Sequence, residues 1–454
     1  MNVRDPGLVQ RIWAGDSSLW SGGDEQGWLG WLDEPFRMRE EANGLLRRAS
    51  VAVADGVDAV VLMGMGGSSL APEVLRRWFG SSTFHVLDTT HPRAIRALEE
   101  SLDLSRTLFI ASSKSGGTLE TRLAAEFFWQ RAPRPERWLA VTDHGSALER
   151  LARERGFADV FSGEPSIGGR YSALSQFGML PGALVGADLE RLVDGACAMA
   201  EACRLEHGNP GLELGLSLGE GWSEGRDKIC FPEGGGFGLW VEQLIAESTG
   251  KQGRGLVPVP GESTEGADRQ VHELRLADPY DLGGEFYRWE FATAVAATFL
   301  KINPFDQPDV QAAKDRTSAV LAAGDVALEP HGSVADLLSQ ARPGDYVCIQ
   351  AFVEETPEAA RRLGALAAAA REQTGCVVTC GFGPRYLHST GQLHKGGPPS
   401  GLYLQVVEDF GPELEIPGSE FGFARLIRAQ AAGDFESLRE RGRRIARIEL
   451  EELA

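Results

Sequence analysis

The chain has 454 residues, 43% hydrophobic and 24% charged, with a formal net charge of −20, so by length it holds about two or three domains and a large core. The acidic balance excludes nucleic acid and anionic membrane surfaces as partners, and no run approaches the roughly 18 apolar residues of a membrane span. The opening stretch MNVRDPGLVQRIW lacks the apolar centre of a signal peptide, and a cytoplasmic protein is the expectation.

Residues 1–50 are expected to form a helical, peripheral N-terminal arm, anchored on a larger body by Trp13, Trp20, Trp28 and Trp31. Aromatics of this size bury large areas, so the cluster reads as packing. From 59 onward a strand–loop–helix pattern repeats. Strands are predicted at 59–63, 84–88, 107–111, 138–142 and 157–161, and helices at 71–79, 93–100, from 119, and at 146–154. Such alternation means a parallel sheet with helices on both faces, and ligands then sit at the C-terminal ends of the strands. Two Gly/Ser loops lie at that end, 64–69 and 112–118. The first, Gly64-x-Gly66-x-x-Ser69 with Asp88 closing the next strand, approximates a dinucleotide fingerprint but lacks its third glycine, which leaves a nicotinamide oxidoreductase as a weak reading. The second is hydroxyl-rich: Ser112, Ser113, Ser115, Thr118 and Thr121 surround Lys114 between a strand and a helix N-terminus. A helix cap would account for one such hydroxyl. Five with a lysine point to a phosphate site, because free N–H groups and the positive helix end attract an anion.

Only six of the 45 basic residues are lysines: Lys114, Lys228, Lys251, Lys301, Lys314 and Lys395. Lys and Arg are not equivalent as phosphate or proton-transfer groups, and Lys114, Lys251, Lys314 and Lys395 fall in motif-like stretches. The Gly/Ser/Pro-rich passage 163–186 contains Arg170 behind Gly168 and Gly169, where a loop arginine can approach a ligand closely; alone it would read as a surface arginine. A helix follows at 188–206, then a linker near 207–225, a strand at 227–231 and a helix at 237–249. That helix carries Gln243 and Glu247, four apart and so on one face, and Glu247 is the only acid between Glu242 and Glu262. Gly250 and Lys251 suit the helix end by capping and dipole alone. Strands near 256–259 and 271–276, a helix at 285–302, a turn at 303–308 and a helix with Lys314 come next. The rest reads as a strand at 346–353, an Ala-rich helix at 357–374, strands at 376–379 and 402–407, and a helix and short strand over 422–448. The Gly-rich loop 381–397 holds Arg385, His388, His394 and Lys395, a composition that favours function over structure. The six cysteines are scattered and read as free thiols, and Cys376 and Cys380 lack the second pair that a structural metal needs.

Taken together, GMGGSSLAPE (64–73), ASSKSGGTLET (111–121), GGRYSALSQFG (168–178), WVEQLIAESTGKQG (240–253), NPFDQPDVQAAK (303–314) and LHSTGQLHKGG (387–397) resemble the phosphoglucose isomerase family. The chain looks closest to the isomerase half of bifunctional transaldolase/phosphoglucose isomerase proteins, on RIWAGDSSLW and LHSTGQLHKGG, and is too short to hold the transaldolase barrel as well. The resemblance implies an α/β fold of two doubly wound parallel-sheet domains of the sugar-isomerase type behind the helical arm, 51–206 with the phosphate loop and 207–454. It implies reversible isomerisation of glucose 6-phosphate and fructose 6-phosphate through a cis-enediol, with no metal and no cofactor. Glu247 matches the family's base, for which a desolvated carboxylate with a raised pKa is suited. Arg170 matches the arginine that stabilises the enediolate. His388 and Lys314 match the ring-opening residues. Ser113, Ser115, Thr118 and Thr121, with Lys114 adjacent, match the phosphate loop, and Gly67, Ser68 and Gln243 match substrate-contacting positions. In the usual family order the His motif precedes the Lys motif; here Lys314 comes first, which leaves His394 as the alternative to His388. The family is often dimeric, so the resemblance adds a homodimer to the expectation. A reading of another class is a non-catalytic sugar-phosphate-binding regulator of the same fold, against which the presence of Glu247 counts.

Overall fold

A computed structural model describes residues 7–54, 56–262, 265–324 and 326–453, the side chains at 310–315 and 323 excepted. The chain divides into two compact units. The first takes the residues up to Leu87, Asp103–Thr249 and Leu256–Asp306; the second takes Asp88–Leu102, Gly250–Gly255 and the residues from Gln307.

The first unit is built on β1 (Ala59–Met63), β2 (Phe84–Leu87), β3 (Thr107–Ser112), β4 (Trp138–Asp143) and β5 (Asp159–Gly163). All pairings are parallel, in the order β2-β1-β3-β4-β5. β1 (AVVLM) and β3 (TLFIAS) are near-continuous apolar runs and are buried along almost their whole length, as strands covered on both faces must be. The strand order reverses between β1 and β3, the switch point where this topology leaves a ligand crevice. Register pairs Met63 with Ala111, so the two Gly/Ser loops leave the sheet side by side. A second, three-stranded parallel sheet orders β6 (Lys228–Phe231), β7 (Val257–Pro260) and β8 (Arg269–Val271) as β7-β6-β8. Its last strand is shorter and earlier than the predicted 271–276.

Two expectations change in this unit. The stretch near 207–225, expected as a linker, contains the helix Pro210–Ser223. Glycine is a poor helix former, but Gly211, Gly215 and Gly219 fall four apart and face the helix Asp281–Leu300. A Cβ on Gly211 would lie 2.9 Å from Phe291, one on Gly215 2.5 Å from Val295, and one on Gly219 would overlap the Phe299 ring. The glycines are there to let two helices approach closely, and they draw 207–249 and 256–306 into the first unit. The N-terminal arm is not peripheral either. It comprises the helices Leu8–Trp13 and Glu34–Val53 with short 3-10 turns between them, and it buries Trp20 and Trp31 in the unit's core. Trp20 Nε1 donates to the Ala294 carbonyl at 2.8 Å, and Trp31 packs 5.2 Å from Tyr171.

The second unit carries a four-stranded parallel sheet, β9 (Tyr346–Phe352), β10 (Val377–Phe382), β11 (Gly401–Val407) and β12 (Arg444–Glu449), ordered β10-β9-β11-β12. Its core joins Val347, Ile349, Val378, Leu402, Leu404 and Ile448. No disulfide joins the six cysteines among the described residues, and all but Cys380 are buried. Among the described residues no helix is long and apolar enough to cross a membrane.

Candidate active site

The hydroxyl-rich loop leaves β3 and enters the helix Leu119–Arg131. Thr118 occupies the N-cap position without a side-chain cap hydrogen bond, so the hydroxyls are not spent on capping. Ser113 Oγ donates to Thr118 Oγ1 at 2.9 Å, and Ser115 Oγ accepts from Gly117 N–H at 3.2 Å. Ser112 and Thr121 each keep a buried hydroxyl that has no partner among the described residues. Buried polar groups are ordinarily paired, and unpaired hydroxyls beside an uncapped helix N-terminus suit an anion with several acceptor oxygens. Lys114 does not join them. Its ammonium donates to both carboxylate oxygens of Asp143, each at 2.8 Å, and to the Glu164 carbonyl at 2.7 Å. Those acceptors use the three donors of a lysine. Burial lowers its pKa against the opposing pull of Asp143. The expected phosphate contact by Lys114 is therefore replaced by a brace from the loop to the end of β4.

The loop after β1 lies beside this one: a Cβ on Gly64 would come within 3.2 Å of the Ser112 carbonyl. It forms the 3-10 turn Gly66–Ser68 and packs backbone to backbone on the turn Gly169–Tyr171. A Cβ on Gly67 would overlap the Gly169 carbonyl and lie 3.0 Å from Arg170 N. Gly67 is thus required by close approach, whatever it touches in a substrate, and Ser68 is buried next to it.

Arg170 is 2% exposed. Its Nε donates to Ser248 Oγ at 2.9 Å, and its Nη2 donates to the Pro304 and Asp306 carbonyls at 2.5 and 2.8 Å. Nη1 faces Glu247 Oε1 at 3.3 Å. A buried guanidinium is costly unless charge and hydrogen bonds surround it, and here both do. Glu247 sits near the end of the helix Phe237–Thr249, and Gln243, one turn earlier, donates from Nε2 to Glu247 Oε2 at 3.0 Å. One carboxylate oxygen thus meets Arg170 and the other Gln243. Of the expected residues, the structure brings Glu247, Arg170 and Gln243 into contact and sets Gly67 against the arginine's turn. Ser248 and the two carbonyls were not foreseen. Ser248 had a signal, a hydroxyl next to Glu247; backbone carbonyls have none.

Glu242 lies on the same helix. Burial alone pushes it from its ordinary 4.5 up to about 8. Its pKa is raised, so its stabilising effect is present while it is protonated and is lost as pH rises from 4.5 towards 8. Glu242→Gln removes that loss. Thermal denaturation is expected to show the variant more stable at pH 8, by on the order of 4 kcal/mol, and equal to the unaltered chain near pH 4.5.

The remaining expected residues belong to the second unit. His388 ends the 3-10 turn Arg385–His388 and is half-buried; Arg385 in that turn is bound to Asp88 at 2.7 and 2.8 Å. Lys314 lies on the helix Pro308–Ala323, with its side chain outside the described residues. His394 is buried, with Nδ1 3.2 Å from Gln350 Nε2 and Nε2 3.4 Å from Cys348 Sγ, and burial pushes its pKa down to about 3. It is a neutral core residue. Of the two histidines, His388 is the one with solvent access. Lys395 pairs with Asp434 at 2.5 Å, both 1% exposed, and so serves the interior of the unit.

Residues 49–210, which hold both Gly/Ser loops and Arg170, match the model of the phosphoglucose isomerase family. Over those residues the chain is similar to that family. A glucose-6-phosphate isomerase of Synechococcus sp. is 37% identical over 211 residues, 42% of this chain and 40% of that protein. One of Thermus thermophilus is 38% identical over 183 residues, 38% of this chain and 43% of that protein. The chain thus spans about two fifths of the length of the curated relatives it matches. The crystal structure of a glucose-6-phosphate isomerase from Chlamydia trachomatis superposes with a TM-score of 0.53 at 21% identity, over 63% of this chain and 73% of that one, which shows a shared fold.

Proposed function

We propose that this chain interconverts glucose 6-phosphate and fructose 6-phosphate by moving a proton between C1 and C2 through a cis-enediol. The observation that carries the proposal is the Arg170–Glu247 pair, a carboxylate 3.3 Å from a guanidinium whose Nε and Nη2 are held by Ser248, Pro304 and Asp306. Moving a carbonyl by one carbon needs one base to take the C2 proton and return it at C1, and a fixed cation for the charge that develops on the enediolate oxygen. Glu247 is the base and Arg170 the cation. Gln243 orients the carboxylate by holding its second oxygen. The helix N-terminus with Ser112, Ser113, Ser115, Thr118 and Thr121 takes the phosphate, which makes a local anion site in a chain of net charge −20. Ring opening is assigned to His388 and Lys314 on the family resemblance. The setting taken is a homodimer in the cytoplasm.

The test is a coupled assay on fructose 6-phosphate, repeated in heavy water. Turnover is expected, with solvent deuterium appearing at C2 of the glucose 6-phosphate formed. Binding of the sugar phosphate without turnover would overturn the proposal in favour of a regulator of the same fold.

A further inference from the structure

In the sequence the turn 303–308 stands out only as the lead-in to Lys314. In the structure its first half serves Arg170. Pro304 and Asp306 both direct their carbonyls to the single nitrogen Nη2. Carbonyls two residues apart converge in this way only where the chain turns between them. Asn303, 7% exposed, shapes that turn: its Oδ1 accepts the Phe305 N–H at 2.8 Å, the local side-chain-to-backbone bond by which Asn builds a turn. Its Nδ2 donates to Asp24 Oδ1 at 3.0 Å, and the other Asp24 oxygen accepts from Trp28 Nε1 at 3.1 Å. Phe305 is wedged between Trp20 and Tyr171, with ring centroids 5.5 and 5.2 Å away. The N-terminal arm therefore reaches the buried arginine through Asp24, Asn303 and the turn.

We propose that Asn303, held by Asp24, is a positioning residue for Arg170. It aims two carbonyls at Nη2, and with Ser248 on Nε these fix the plane of the guanidinium so that Nη1 is presented to Glu247. The kinetic consequence rests on the isomerase reading; the geometric one does not.

The Asp24–Asn303 bond has a donor on one side and a carboxylate on the other, so it can be broken and remade. Asn303→Asp keeps an acceptor for Phe305 N–H but sets two carboxylates against each other. Adding Asp24→Asn restores a donor–acceptor pair in reverse, with the new amide oxygen left for Trp28 Nε1. For Asn303→Asp the expected result is a fall in kcat of about 10- to 100-fold with KM within about twofold, since a small misplacement costs that much. The isotope effect with C2-deuterated glucose 6-phosphate, read in the direction of fructose 6-phosphate, is expected to rise, because the stabilised step becomes slower relative to binding and ring opening. The double variant is expected to recover most of the rate. The Arg170 Nε–H resonance, assigned by its loss in Arg170→Lys, reads the geometry without turnover: protected from exchange in the unaltered chain, exposed in Asn303→Asp, protected again in the double variant. Unchanged protection in Asn303→Asp, or a double variant no better than the single one, would overturn the inference. Absence of turnover by the unaltered chain would remove the isomerase reading and leave the resonance comparison to decide this one.

Discussion

Glu247→Gln is expected to lower kcat by about 10²–10⁴-fold, the range for a lost general base, while KM moves only a few-fold. The substitution is close to isosteric, and the site can absorb it. The amide oxygen of the new side chain still accepts from Arg170 Nη1. Its NH2 then meets Gln243, whose amide can turn over to present oxygen in place of nitrogen. The contacts now made at 3.3 and 3.0 Å keep their partners, and the hydroxyl-rich loop is untouched. What disappears is the capacity to hold a proton between C1 and C2. Exchange of the C2 hydrogen with solvent should therefore fall in step with kcat. A variant that turns over fructose 6-phosphate at the original rate would remove Glu247 as the base.

Gly67→Ala is expected to lower kcat by about 10- to 100-fold and to destabilise the fold by about 1–3 kcal/mol. The added methyl would overlap the Gly169 carbonyl and lie 3.0 Å from Arg170 N. Both neighbours are backbone, so no side chain can swing aside. Relief requires the loop after β1 to lift away or the Arg170 turn to shift, and Arg170 is the group proposed to stabilise the enediolate. Gly169→Ala is the control. A Cβ there meets nothing within 4 Å, so that variant should keep its rate and melting temperature. Steady-state kinetics and thermal denaturation of the two variants separate close packing from a general intolerance of the glycine pair.

The two glycines also show how far the sequence could be read. GGR (168–170) and the loop 64–69 were visible as separate Gly-rich pieces, each with the composition of a ligand loop. That one is pressed against the other was not visible, because the contact joins residues about a hundred positions apart. Lys114 makes the same point. As one of few lysines within a run of hydroxyls, it looked like a phosphate ligand. Its acceptors, Asp143 and the Glu164 carbonyl, lie 29 and 50 residues further on. The glycines of 210–223 looked like a linker until the facing helix gave them a packing purpose.

The sequence by itself determined what short-range chemistry controls. The apolar runs of β1 and β3, the hydroxyl-rich turn before a helix, and the four-residue spacing that puts Gln243 and Glu247 on one helical face follow from backbone periodicity and side-chain type. Only the tertiary structure decided which groups surround the buried charge. Arg170 finds Ser248, Pro304 and Asp306 at separations of 78, 134 and 136 residues. The reason is physical: a desolvated guanidinium must be matched by acceptors wherever packing places them, and two of the three on Nε and Nη2 are backbone carbonyls, a group that every residue carries.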